Sequence, residues 1–320
     1  MQFHYDLSIA GLYFRICSPF FLNLPEYFRP FLVTEAFPAE PDVNINVEAE
    51  DLQKDKWLQD TILQSFYWDH GKSIYRLESK LKPEQITLVI PQEFRERFAQ
   101  NANWLLYLVL ERPLLHYGRL ILHASAVLYH EKAILFTAPS GGGKSTQAEI
   151  WEHSLHAKVI NGDKVILYDN GTNLIAYGSP IAGSSGIYRN ICAPVAAIVQ
   201  LEKGSENTIT PMTMRERYLL LYGEAVKSDW DADFNRSLLR LASSYPQRTE
   251  YVRLRCLPDS SAAECLLHYL NTKEKKKRGL LHNDRKNTRC QVYGTLSCVC
   301  NACRSASYNS ACCFRMANRK

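Results

Sequence analysis

The residues best equipped for chemistry lie in one stretch, Ala138-Pro139-Ser140-Gly141-Gly142-Gly143-Lys144-Ser145, followed directly by Thr146. An apolar run, Ala133 to Phe136, leads into it, and helix-forming residues from Gln147 to Trp151 follow. Strand, glycine loop and helix with Gly-Lys-Ser at the junction is the phosphate-loop pattern, with Ala138 where the first glycine usually stands. Backbone N–H groups can wrap a polyphosphate only where side chains are small, and the helix that follows aims its positive end at the same anion. Pro139, Ser140, Gly141, Gly142, Gly143, Lys144, Ser145 and Thr146 are therefore the expected nucleotide-binding residues. Lys144 would reach the β- and γ-phosphates, and the Ser145 hydroxyl would ligate Mg²⁺. The pattern specifies phosphate and is silent on what is done with it.

A phosphoryl-transfer site also needs an acid for the metal or for the nucleophile. Asp163 stands nineteen residues after Lys144 at the end of the next apolar strand, Ala157 to Gly162, where one short helix between two strands can return it to the loop. It is the expected metal ligand, general base or both. Its alternative is a strand-end turn residue in an Asn-Gly-Asp cluster. Asp169, in a hairpin turn beside Asn170-Gly171, is the lesser substitute. Gly178 to Asn190 reads equally as a mobile cover over the acceptor or as an ordinary surface loop. Arg189 reads equally as a charge-neutralising group or as a solvated arginine, and Arg248 is a weaker candidate still. Cys298, Cys300 and Cys303 lack paired Cys-x-x-Cys spacing and a following histidine, which speaks against zinc.

The elements that position these residues are strands and helices in alternation. Phe3 to about Gln85 reads mainly as strands: Leu7 to Ile16 alternates with Gly11 near its middle, as a hairpin or a bulged strand would, and Val43 to Val47 alternates strictly. Asn101 to Tyr117 reads as a helix broken near Pro113. Leu120 to Leu128 reads as one strand, Val165–Tyr168 and Asn173–Tyr177 as a hairpin, and Val195 to Leu201 as a buried strand. Met212 to Val226 and Asp229 to Ala242 read as helices, Tyr251 to Cys256 as a last strand, and Asp259 as the cap of a helix ending near Asn271. Nothing between residues 1 and 100 has ligand spacing.

Composition narrows the class. The 320 residues carry a net charge of +5, but residues 273–320 hold twelve Lys/Arg against two Asp/Glu, so the remainder is acidic. Nucleic-acid binding is therefore not expected. Six of the ten cysteines lie beyond residue 289, and the other four read as reduced thiols. No apolar run reaches membrane-spanning length and no secretory signal is evident, so a cytoplasmic protein without a membrane partner is expected. Beyond Lys273 the apolar period stops, as in a disordered basic tail or in text from another reading frame.

Four blocks in order carry a more specific resemblance. These are Leu122-His123-Ala124-Ser125-Ala126; Pro139 to Thr146; Asn161-Gly162-Asp163-Lys164; and Tyr177-Gly178-Ser179-Pro180 with Gly183-Ser184-Ser185-Gly186 and Asn190. From His123 to about Asn207 the chain resembles the catalytic domain of the HPr kinase/phosphorylase superfamily, and more closely its short bacterial HPr-kinase-like members. The resemblance implies an α/β fold: an HPr-kinase-type P-loop domain over 118–272, with a mixed sheet and flanking helices. A β-rich N-terminal lobe with a helical connector, 1–117, would precede it, and the Cys-rich tail, 273–320, would follow. It implies ATP and Mg²⁺ as cofactors, Lys144 on the phosphates, Ser145 on the metal and His123 facing the phosphates. It implies transfer to a hydroxyl of a peptide, protein or small molecule, with self-association left open. Two departures stand out: Gly162 replaces the first of two consecutive acids, and the segment that engages HPr is not recognisable. A nucleotide-binding sensor or adaptor without transfer activity is the rival reading.

Overall fold

In the computed structural model, residues 2–34, 37, 40–50, 61–68, 73–80, 84–92, 95–100, 102, 110–181, 183, 185–227 and 232–290 are described, the side chains of 50, 61–68, 73–80, 91 and 277–290 excepted. Met1–Asn271 forms one compact unit and Thr272–Lys320 a second. Two sheets build the first unit. One has six strands, β1 (Phe3–Ile9), β2 (Leu12–Ser18), β3 (Val43–Glu50), β4 (Thr61–Trp68), β5 (Ser73–Lys80) and β6 (Gln85–Pro91), in the order β1-β2-β3-β6-β5-β4. The Leu7–Ile16 stretch is a hairpin whose turn, Ala10-Gly11, has positive φ at both residues, the conformation that matches strand twist in a two-residue loop. Short helices α1 (Arg95–Gln100) and α2 (Glu111–His116) lead out of it. The rest of the helix expected from Asn101, at 101 and 103–109, lies outside the described residues.

The second sheet contains β7 (Arg119–His123), β8 (Ser125–Tyr129), β9 (Lys132–Thr137), β10 (Lys158–Asn161), β11 (Lys164–Asp169), β12 (Leu174–Gly178), β13 (Cys192–Lys203), β14 (Thr208–Pro211) and β15 (Glu250–Cys256). Its main path is β10-β8-β9-β13-β12-β11-β7, with β15 on β13 and β14 on β15. Strand β13 runs parallel to β9 and β15 and antiparallel to β12, so the sheet is mixed. The single strand expected over Leu120–Leu128 is two strands. Ala124 separates β7, which pairs with β11, from β8, which pairs with β9 and β10. Apolar residues run through both, so periodicity alone could not show the break.

Helices cover this sheet. On one face lie α3 (Lys144–Leu155) and the first part of α6 (Ser260–Cys290), up to Asn271, with Trp151, Phe136, Val199 and Leu266 in a common core. On the other lie α4 (Met214–Glu224) and α5 (Ala232–Ser244), through Leu221, Leu238 and Tyr251. Ile121, Ile166 and Ile181 instead join the core of the six-stranded sheet, beside Phe14 and Phe31, so the two sheets share buried surface. α6 starts where Asp259 accepts from Ser261 N at 3.0 Å and runs to Cys290, past the end expected near Asn271. Its Lys/Arg/Glu/Leu-rich sequence propagates helix without the apolar period that would have marked it. The cysteines at 298, 300 and 303 lie outside the described residues. Among the described residues, no helix is long and apolar enough to cross a membrane.

Candidate functional site

The loop between β9 and α3 is shaped from within. A Cβ on Gly142 would lie 2.6 Å from the Cβ of Ala138 and 2.8 Å from the carbonyl oxygen of Pro139. Ala138 thus fills the space beneath the loop, and only glycine fits above it. Gly142 N donates to Pro139 O at 2.9 Å, closing the turn. Gly141 and Gly143 have φ of +72° and +96°, where side chains are strained. Gly143 immediately precedes α3, whose first N–H groups have no partners within the helix. Ser125 Oγ, fully buried on β8, donates to Lys144 O at 2.9 Å and steadies this helix start. Trp151 anchors the other end, edge-on to Tyr129. Lys144 Nζ donates to Ala138 O at 2.8 Å, folding its side chain along the loop.

Asp163 is set by Asn161, which is fully buried at the end of β10. Asn161 Oδ1 accepts from Asp163 N at 2.8 Å and from Lys164 N at 2.9 Å, a side-chain turn that fixes the backbone on which the acid sits. Asn161 Nδ2 donates to Ser179 O at 2.9 Å and Ile181 O at 3.2 Å, fastening the 178–190 segment to the same point. That segment packs directly on the acid: a Cβ on Gly183 would lie 2.4 Å from Asp163 Cβ, and one on Gly162 would lie 1.9 Å from Ser185 Oγ. Its far end is tied to the six-stranded sheet's side, with Asn190 Nδ2 donating to Ser8 O at 3.3 Å and Pro30 O at 3.2 Å. The N-terminal lobe, which has no chemistry of its own in sequence, thus supplies an anchor for the segment beside the acid.

The predicted residues converge. His123 ends β7 with Nε2 at 2.9 Å from Asp163 Oδ1, while Lys164 Nζ donates to Asp163 Oδ2 at 3.0 Å. His123, Gly162 and Asp163 face residues 140–146 across a cavity of about 270 Å³, so both halves of the expected site line one space. Of the loop residues named from sequence, Pro139 lies behind the cavity wall, in the turn below Gly142.

Other candidates fall elsewhere. Arg189 Nη1 donates to the carbonyl of Val159 and braces β10, and Arg248 Nε pairs with Asp169 Oδ2 at 2.6 Å beside the β11–β12 turn. One acid escaped sequence reasoning: Glu224 Oε2, at the end of α4, lies 3.9 Å from His123 Nδ1. A bridge between Leu122 and Ala225 puts it there, a pairing that no local pattern announces.

The donor set suits a hard cation. A hydroxyl on Ser145 and a carboxylate on Asp163 line the same cavity, and Mg²⁺ takes few protein oxygens, completing its shell with phosphate and water. No group of three or more His, Cys, Asp or Glu able to hold a metal occurs among the described residues.

No protein-family model matches the chain, and no curated protein matches it. Among solved structures, the Hpr(Ser) kinase/phosphatase from Coxiella burnetii is similar at 12% identity and a TM-score of 0.30, over 52% of this chain and 96% of that one. A likeness so distant assigns neither fold nor activity by itself.

Proposed function

We propose that the chain is an HPr-kinase-like phosphotransferase that moves the γ-phosphoryl group of ATP, with Mg²⁺, to a hydroxyl of a peptide, protein or small molecule. One observation carries the reading: the His123–Asp163 pair faces the glycine loop across a single cavity. The amides of residues 141–145 cradle the phosphates, and Lys144 leaves the Ala138 carbonyl to meet their charge. Ser145 and Asp163 would hold the metal, which would supply charge neutralisation to the transferring phosphates. Asp163 takes the acceptor's proton, the freed oxygen forms a bond to the γ-phosphorus, and the bond to the β-γ bridging oxygen breaks, releasing ADP. His123 and Lys164 keep the carboxylate oriented, each occupying one of its oxygens and leaving lone pairs free on both.

A second reading, an ATP-binding sensor without transfer, is favoured by those same two contacts, which engage both oxygens of the acid that would serve as base. The readings separate by transfer of label from γ-labelled ATP into cell extract. The kinase reading expects labelling by wild type and loss of it with Asp163→Asn; equal labelling by both proteins would refute the catalytic assignment. ATP bound without any labelling would favour the sensor.

A further inference from the structure

The segment that crosses the acid carries a hydroxyl of its own. Between β12 and β13 the chain is pinned on both sides of Asp163. On the near side Asn161 Nδ2 holds the carbonyls of Ser179 and Ile181. On the far side Tyr188 forms a bridge back to Asn161, Ile187 O accepts from Gly162 N at 3.3 Å, and the Tyr188 ring stands edge-on to Tyr27 at 5.9 Å. Between the pins lies the turn Gly183 to Gly186, closed by Gly186 N donating to Gly183 O at 3.1 Å, with φ of +61° at Gly186. So short a stretch, fastened on both sides, keeps its side chains close to the acid.

The turn rests on Gly162 and Asp163, both of which line the cavity facing the glycine loop. At Gly183 a Cβ would lie 2.6 Å from Asp163 Cγ and 3.0 Å from Asp163 Oδ2. Ser185 sets its side chain against Gly162, where a Cβ would meet Ser185 Cβ at 2.6 Å and Oγ closer still. The missing side chain at Gly162 is therefore the room in which the Ser185 hydroxyl sits. That hydroxyl is half-buried and accepts from Ile187 N at 3.4 Å, while its proton has no acceptor among the described residues. A serine with an uncommitted proton, one residue from the expected base, is placed as a nucleophile would be.

We propose that Ser185 is a phosphoryl acceptor of its own chain. This rests on the kinase reading above and names one substrate of that site. Asp163 takes the proton of the Ser185 hydroxyl, and Oγ forms a bond to the γ-phosphorus of ATP. The bond from that phosphorus to the β-γ bridging oxygen breaks, and ADP leaves with its electron pair. Because the turn is fastened on both sides, the acceptor is already held beside the base and the step is intramolecular.

The test uses the full chain, freed of phosphate by a phosphatase and then incubated with MgATP, with intact mass and phosphopeptides followed in time. One phosphate per chain is expected, mapped to Ser185. It should persist in Ser184→Ala and be absent from Ser185→Ala and from Asp163→Asn. The modified fraction should rise at a rate unchanged by about ten-fold dilution of the protein, as an intramolecular step requires. Because the site is mapped in the wild type itself, the result does not depend on how well Ser185→Ala folds. Phosphate on another residue, phosphate on Ser185 of Asp163→Asn, or a rate that falls with dilution would overturn the proposal. A chain that labels cell extract from γ-labelled ATP while its own Ser185 stays bare would overturn it too, and would leave the kinase reading standing. A chain that labels neither would overturn both.

Discussion

Replacing Asn161 with alanine tests how the acid is held. The residue is fully buried, and its carboxamide makes four hydrogen bonds of 3.2 Å or less, to Ser179 O, Ile181 O, Asp163 N and Lys164 N. Each such bond contributes about 1 kcal/mol net, and a buried group left unpaired costs about 1–3 kcal/mol. The Asp163 and Lys164 N–H groups are only part-buried, so water can replace the lost acceptor, whereas Ser179 and Ile181 are buried. Asn161→Ala should therefore destabilise the protein by about 3–5 kcal/mol, at the upper end for a single substitution. Urea unfolding followed by tryptophan fluorescence measures it, with an unchanged slope separating lost stability from a changed unfolded state. A loss below about 1 kcal/mol would show that the carboxamide does not fasten the 178–190 segment to the Asp163 turn, and the account of how the acid is positioned would fail.

Three further outcomes follow from the same geometry. Gly142→Ala puts a Cβ 2.6 Å from that of Ala138, so polyphosphate affinity should fall about ten-fold or more while thermal stability drops by only a few degrees; unchanged affinity in a binding titration would contradict the packing argument. Glu216 closes the capping box of α4 with Thr213, and those hydrogen bonds hold its carboxyl below the ordinary range. Its contribution is therefore complete above the unfolded-state pKa and lost as pH falls through the lower folded-state value, so the stability difference between wild type and Glu216→Ala should be largest at neutral pH and shrink in acid. Arg248→Ala removes the ion pair to Asp169 at the β11–β12 turn and should cost at most about 1 kcal/mol, with ATP turnover unaffected; a drop in turnover would mean that the arginine reaches the site.

How much of this was legible in sequence depends on the range of the interaction. Gly141 to Ser145 announce themselves because a phosphate loop is a local device, and Asp163 follows because a strand–helix–strand unit returns the chain to its start. The Asn170-Gly171 turn was readable for the same reason, and Gly11 marked a hairpin or a bulge, since backbone with positive φ favours glycine; Ala10, also at positive φ, gave no such signal. The break at Ala124 was not, because the apolar run of β7 resumes in β8 and the two part only when β11 and β9 claim them as partners. Glu224 was invisible because a bridge between segments a hundred residues apart in the chain places it. Arg189 and Arg248 show the converse: their charge suggested the site, and their partners are a strand carbonyl and a hairpin carboxylate. A second cavity, between the glycine loop and the ends of β13 and β15, depends on their parallel register, which no local pattern encodes.

The central claim is that a triphosphate sits on the loop with its charge met by Lys144 and its far end toward Asp163. Isothermal titration of MgATP into wild type and Lys144→Ala tests it most directly. Saturable binding of one nucleotide per chain is expected, weakened about ten- to hundred-fold when the ammonium is removed, the range for a lost charge-assisted hydrogen bond. Heats that never saturate, or equal affinity in both proteins, would contradict it.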